Sequence, residues 1–170
     1  MKAKSFKGMA CSIAGALEAI GDRWAFLIVR DLSLGLSRYD DLQHSTQIPN
    51  TTLSQRLKHL ERSGLVERRS YQDNPPRFEY ALTTKGRELG VVIFALAQWG
   101  DHWNAAGTAG PPVNFVDRAS GRRVKLAVVD AQSGDPVPGN RIEARPGRGA
   151  DDLVRWRLDR RVAHDDERKP

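Results

Sequence analysis

The sequence has little cysteine, few aromatic residues and no long apolar run, and each shortage removes a class of protein. One cysteine in 170 residues, Cys11, excludes an intrachain disulfide framework and a cysteine-based zinc cluster. The longest stretch free of charge and strong polarity, Gly90 to Ala97, is far too short to span a bilayer, so no membrane partner is expected. Catalytic patterns are missing as well. His44, His59, His102 and His164 are scattered, with no His-x-x-x-His pair, no phosphate-cradling glycine loop and no nucleophile elbow. Asp40 and Asp41 are neighbours on a helix, so their carboxylates diverge onto a solvated face. No enzyme activity and no cofactor are expected.

Lys2, Lys4 and Lys7 precede an apolar stretch from Met9 to Ile20 that faintly resembles a secretion signal. Glu18 interrupts it, and Asp22-Arg23 follows without a small-residue cleavage pattern. No hydrophobic segment precedes Cys11 as a lipoprotein signal would require. The expectation is a cytoplasmic chain whose first seven residues are a solvated tail.

What is present is enough apolar residue for one core, 39%, with 27 basic against 21 acidic side chains. The resulting +6 suits a polyanionic partner. Ile13, Ala16, Leu17 and Ile20 share one helix face, and Gly21 ends that helix while Asp22 can cap the next. Trp24, Leu27, Ile28 and Leu32 mark a second helix, stopping near Gly35. Ser37-Arg38-Tyr39-Asp40 has capping-box spacing and starts a short helix to about Ser45. Pro49 suits a first helical turn, and Leu53, Leu57 and Leu60 then form an apolar line closed by Gly64. Leu65 to Tyr71 and Phe78 to Leu82 read as two strands of a hairpin, with a proline-containing loop from Gln72 to Arg77 between them. Thr83 caps a long helix reaching about Asn104. Four short helices, a hairpin and a long helix make an α+β domain over residues 8–106.

On a helical wheel Leu57 and Leu60 fall within roughly 40° of Leu53. Thr51, Gln55, Lys58 and Arg62 then lie opposite, with Thr52 and His59 flanking. All can donate hydrogen bonds, which suits base edges near the helix start and phosphates further along. With the short helix before it this reads as a helix-turn-helix, and an ordinary solvated face is the competing reading. The hairpin adds Arg68, Arg69 and Arg77 in the shape of a wing. From Thr51 to Arg87 there are eight basic and four acidic residues, most of the chain's excess. The candidate DNA-binding set is therefore Asn50, Thr51, Thr52, Ser54, Gln55, Arg56, Lys58, His59, Arg62, Arg69 and Arg77.

Leu89, Val92, Leu96, Trp99 and Trp103 follow the 3-4-3-4 seam of paired helices, widened by Ile93. With Ile13 and Leu17 of the first helix they form the candidate homodimer surface; packing within one domain is the alternative. Residues 107–112 read as a linker and 113–149 as a small β-rich segment, with strands at Phe115-Val116, Arg123–Val129 and Asn140–Ala144. A charged tail, 150–170, is expected to begin as helix and fade into disorder.

Ala19-Ile20-Gly21-Asp22-Arg23-Trp24, Leu53-Ser54-Gln55-Arg56-Leu57-Lys58-His59-Leu60-Glu61, Gly64-Leu65-Val66 and Pro75-Pro76-Arg77-Phe78-Glu79-Tyr80-Ala81-Leu82-Thr83 together resemble the HxlR-type winged-helix transcriptional regulators, across about Cys11 to Trp103. The resemblance implies a homodimer on double-stranded DNA with imperfect two-fold symmetry, a recognition helix from Pro49, and a wing at Pro75-Pro76-Arg77. It also implies a redox role for Cys11, since some members use a cysteine here as a thiol sensor; on the residues alone Cys11 reads as a small packing side chain. The segment 113–149 resembles a zinc-ribbon-like tail of some members, with Ser120-Gly121, Asp130 and Ser133-Gly134 at the cysteine positions. Such residues cannot replace thiolates, so a degenerate, metal-free ribbon is expected. A small-molecule effector is left open. The alternatives are a winged-helix dimer serving protein contacts or ligand sensing without specific DNA readout, and an RNA binder, for which two strands make a poor stacking platform.

Overall fold

A computed structural model describes residues 5–167. Two compact units emerge, one spanning 19–126 and the other combining the chain up to Glu18 with the chain from Ala127. Helix α1 (Ser12–Ile20) runs across the division at Glu18/Ala19 and ends at Gly21, whose φ of +104° suits a residue without a side chain. A Cβ there would also come within 3.1 Å of the His59 ring. Asp22 then caps α2 (Arg23–Ser33), accepting from the backbone N–H groups of Trp24 and Ala25. Helices α3 (Tyr39–Thr46) and α4 (Asn50–Arg62) follow, with the strands β1 (Val66–Asp73) and β2 (Pro76–Leu82) paired antiparallel. The core is made by Ala25, Ile28, Val29 and Leu32 of α2, Leu42 of α3, Leu53, Leu57 and Leu60 of α4, and Leu65, Val66 and Leu82 at the base of the hairpin.

Several expectations are corrected. No capping box forms at Ser37: Arg38 stands at the N-cap without a side-chain hydrogen bond. Instead the Ser37 carbonyl accepts from the Tyr80 N–H at 2.7 Å and Arg38 bridges Glu79, so this segment borders β2. Pro49 is the N-cap of α4, not its first turn, and its carbonyl receives the Leu53 N–H. The hairpin continues past the expected loop to Asp73 and Pro76, around a tight Asn74-Pro75 turn. Pro76 starts its strand, where a missing donor is tolerated, and a bulge at Tyr71 absorbs the register shift.

The long helix is two helices, α5 (Thr84–Glu88) and α6 (Gly90–His102). Thr83 does cap α5, accepting from the Gly86 N–H. The Leu89 N–H reaches Gly86, three residues back, so the turn tightens beside two glycines of low helix propensity. The expected linker at 107–112 does not divide the compact units. Phe115 stacks on Phe94 at 4.3 Å, and the Gln98 amide both accepts from the Leu126 N–H and donates to its carbonyl.

The β-rich tail reduces to isolated bridges, Val116 with Arg123 and Val129 with Pro136, and Gly139–Arg141 is a 3-10 turn where a strand was expected. Each bridge closes one Asp-x-x-Ser-Gly turn, and too few residues pair beyond it to form a ladder. Asp117 and Asp130 play the same part in the two turns, with carboxylates held below the usual range. For Asp117 the Ser120 hydroxyl is the main cause, followed by the Ala119 and Ser120 N–H groups. For Asp130 it is the N–H groups of Ser133 and Gln132. This donor set, with no thiolate and its carboxylates engaged by the turns, does not suit zinc.

In the second unit Ser5 and Phe6 donate to the Glu18 carboxylate, so these residues fold back onto α1 and are not a free tail. Residues 1–4, the rest of the expected tail, lie outside the described residues. Helix α7 (Asp152–Glu167) closes the described chain, with Asp151 accepting from the Val154 N–H at its start. The expected start of the charged tail as helix extends as far as Glu167, and the remainder, 168–170, lies outside the described residues. No helix among the described residues is long and apolar enough to cross a membrane.

Candidate nucleic-acid interface

Helix α4 is fixed by its buried leucines, and its other three sides have separate employments. On the solvent side Thr51, Gln55, Lys58 and Arg62 are exposed. These are polar donors whose side chains make no ion pair among the described residues.

The side toward α3 carries Asn50 and Ser54, roughly 60–100° from Leu53. The Tyr39 hydroxyl donates to the Asn50 carbonyl at 2.9 Å and lies 3.1 Å from the Ser54 hydroxyl. Ser54 is thus a brace between the two helices of the helix-turn-helix, and Thr52 is half-buried. The opposite side carries Arg56 and His59. Arg56 Nε donates to the Asp22 carboxylate at 2.5 Å, and His59 Nε2 is 3.0 Å from the Ala19 carbonyl. Placing Arg56 and His59 among the groove-facing donors is therefore corrected. Both flank the leucine line, so the turn between α1 and α2 captures them. Two stretches that carry the family resemblance touch here, Gly21-Asp22 against Arg56 and His59.

On the hairpin Arg77 is exposed beside the turn and makes no ion pair among the described residues. Arg69 pairs with Glu67 on its own strand, an exposed pair weak enough to exchange for a phosphate. Arg68 lies over the Phe78 ring at 4.2 Å and 3.8 Å from Glu61, so it joins the hairpin to α4. Tyr80 nearby has its phenol pushed up, first by burial and then by Glu61, with Arg68 acting the other way. Sequence reasoning missed Tyr39 as the brace; its place at the start of an uncapped α3 gave no signal.

The surface assigned to dimerisation divides in two. Leu89 and Ile93 pack against the core. Val92, Leu96, Trp99 and Trp103 all face outward, the tryptophans 61% and 66% exposed, and α6 has no buried residue at all. Ile13, 72% exposed, and Leu17 are also uncovered, whereas Ile20 on the same face of α1 is buried in the core. Cys11 is half-buried just before α1, its carbonyl accepting from the Gly15 N–H.

A helix pair with an outward donor face, followed by a basic two-stranded wing, defines the winged helix-turn-helix class of DNA-binding folds. The HxlR-like helix-turn-helix family matches residues 19–108, more than half of the chain. The chain belongs to that family of transcriptional regulators. It is 35% identical over 138 residues to an uncharacterized HTH-type transcriptional regulator of Mycobacterium tuberculosis, covering 81% of this chain and 87% of the relative. Among solved structures it resembles PA1607, described as a candidate transcription factor, with TM-score 0.71, 34% identity, and 85% and 99% of the two chains covered. PA1374 of Pseudomonas aeruginosa, described likewise, gives TM-score 0.59 and 37% identity, covering 87% and 100%.

Proposed function

We propose that this regulator binds a pseudo-palindromic duplex as a homodimer, inserting α4 into the major groove and resting the hairpin on the backbone beside it. The observation that carries this reading is the solvent side of α4, where Thr51, Gln55, Lys58 and Arg62 stand together, exposed and without an ion pair among the described residues. Thr51 and Gln55, near the start of α4, are assigned to base edges. Lys58, Arg62, Arg69 and Arg77 are assigned to phosphates. Gln55→Ala is expected to relax site choice, losing roughly 1–3 kcal/mol of discrimination between preferred and random duplex. Arg77→Ala weakens binding to both duplexes alike and makes the salt dependence shallower. Titration of the chain against DNA from its own upstream region, with random duplex and RNA as competitors, checks both. Equal losses on specific and random DNA for Gln55→Ala would show that the reading face is elsewhere.

The homodimer rests on the open face of α6. Val92, Leu96, Trp99 and Trp103 repeat at four, three and four residues, the spacing that lets two such helices pair. A second copy covers this face and sets two recognition helices about one DNA turn apart. Trp99→Glu should convert the dimer to a monomer in sedimentation at micromolar concentration and abolish high-affinity operator binding, with helix content unchanged. A wild-type chain that sediments as a monomer ends this part of the reading. An effector, where one acts, has a place in the apolar groove of about 600 Å³ between α2 and α6, lined by Phe26, Leu27, Leu34, Ile93, Leu96 and Phe115.

A further inference from the structure

Arg38 has no part in the interface described so far, yet it sits where α3 meets the wing. Its backbone bridges Glu79 of β2, beside the hydrogen bond from Tyr80 to Ser37, so its position is fixed by the sheet. Its guanidinium lies over the Tyr71 ring, 5.3 Å from the centroid. Tyr71 is the residue at the β1 bulge, the point at which the strand leaves regular pairing. Both side chains are exposed.

The carboxylates nearest in the chain and the sheet are Asp40, Asp41 and Glu79, and none makes an ion pair with Arg38 among the described residues. A guanidinium stacked on an aromatic face keeps the N–H groups at its edge available, in a plane set by the ring. A phosphate oxygen is an acceptor that such an edge fits in two-pronged fashion.

We propose that Arg38, held over the ring of Tyr71, is a further DNA-backbone contact of this regulator, at the seam between α3 and the wing. The proposal rests on the DNA-binding reading above and extends its footprint to a residue outside α4 and the hairpin. Tyr71 is a positioning residue: it touches Arg38 and acts through it.

Fluorescence anisotropy of the full chain on its upstream duplex, across a salt series, tests this. Arg38→Ala should weaken specific and random duplex alike, about five- to tenfold near ~0.15 M salt, and lower the slope of log affinity against log salt by about 0.9. Arg38→Lys keeps the charge and the slope but loses part of the affinity. Tyr71→Ala should weaken binding of the wild type severalfold and add nothing once Arg38 is alanine. Thermal denaturation of each variant separates loss of fold from loss of contact. A slope unchanged in folded Arg38→Ala, or a Tyr71→Ala effect of equal size with and without Arg38, overturns this proposal while leaving the α4 interface standing. A wild-type chain that retains no duplex overturns both.

Discussion

Gly86→Ala is expected to cost roughly 3 kcal/mol or more, enough to leave the chain largely unfolded at moderate temperature. Gly86 lies in the first turn of α5, pressed against the point where α4 hands over to β1. A Cβ there would fall 2.0 Å from the Leu65 carbonyl oxygen and 3.1 Å from Leu82 Cδ2. The obstacle is backbone, and it is held in place. The Leu65 carbonyl accepts from the Thr83 N–H, the Thr83 hydroxyl reaches the Gly64 carbonyl, and Lys85 reaches the Ser63 carbonyl. Relief requires α5 to move off this turn and break those bonds. Gly90→Ala is the control, because nothing lies within 4 Å of a Cβ at that helical position. It should be neutral or stabilise by about 0.5–1 kcal/mol through helix propensity. Urea denaturation followed by circular dichroism compares the two. A loss below about 1 kcal/mol for Gly86→Ala would show that the close approach can relax.

Arg30→Met should be the second costly substitution. Asp31 is 1% exposed, and its only side-chain partner among the described residues is its neighbour Arg30, on one oxygen at 2.7–2.8 Å. The other oxygen has none. Removing the guanidinium leaves a buried carboxylate without a counter-charge, which costs about 3–5 kcal/mol when both partners are enclosed. The Arg30 side chain is 39% exposed, so solvent screening reduces the expectation to about 2–3 kcal/mol. Methionine keeps most of the aliphatic stem, which limits the packing loss. Adding Asp31→Asn to Arg30→Met removes the charge and should restore about 1 kcal/mol or more. The double variant shows whether the loss is electrostatic. No recovery would assign it to packing.

Asp31 also shows where periodicity stops being informative. Trp24, Leu27, Ile28 and Leu32 outline the apolar stripe of α2, but the buried set is Ala25, Ile28, Val29, Asp31 and Leu32, slightly rotated and with a carboxylate inside. A charge at a helical position reads as solvated unless the fold supplies its partner. The same limit applies to Arg56 and His59. Both are polar and flank the leucine line of α4, so sequence alone groups them with the groove-facing donors. Only the packing of α4 against the α1–α2 turn assigns them to Asp22 and Ala19.

Local chemistry determined much on its own. The spacing of Leu53, Leu57 and Leu60 set the buried side of α4, and hence the outward side, because 3.6 residues per turn leave no other arrangement. Thr83 as a cap and Gly21 as a helix end follow from short-range hydrogen bonding and backbone sterics, which need no distant partner. Contacts between residues far apart in sequence were decided only by the tertiary structure. Ser37-Arg38 runs beside β2 because Tyr80, more than forty positions later, offers an N–H to Ser37. Arg38 meets Tyr71 and Tyr39 meets Ser54 for the same reason. Such pairs leave no periodic trace, since each depends on how separate elements are brought together.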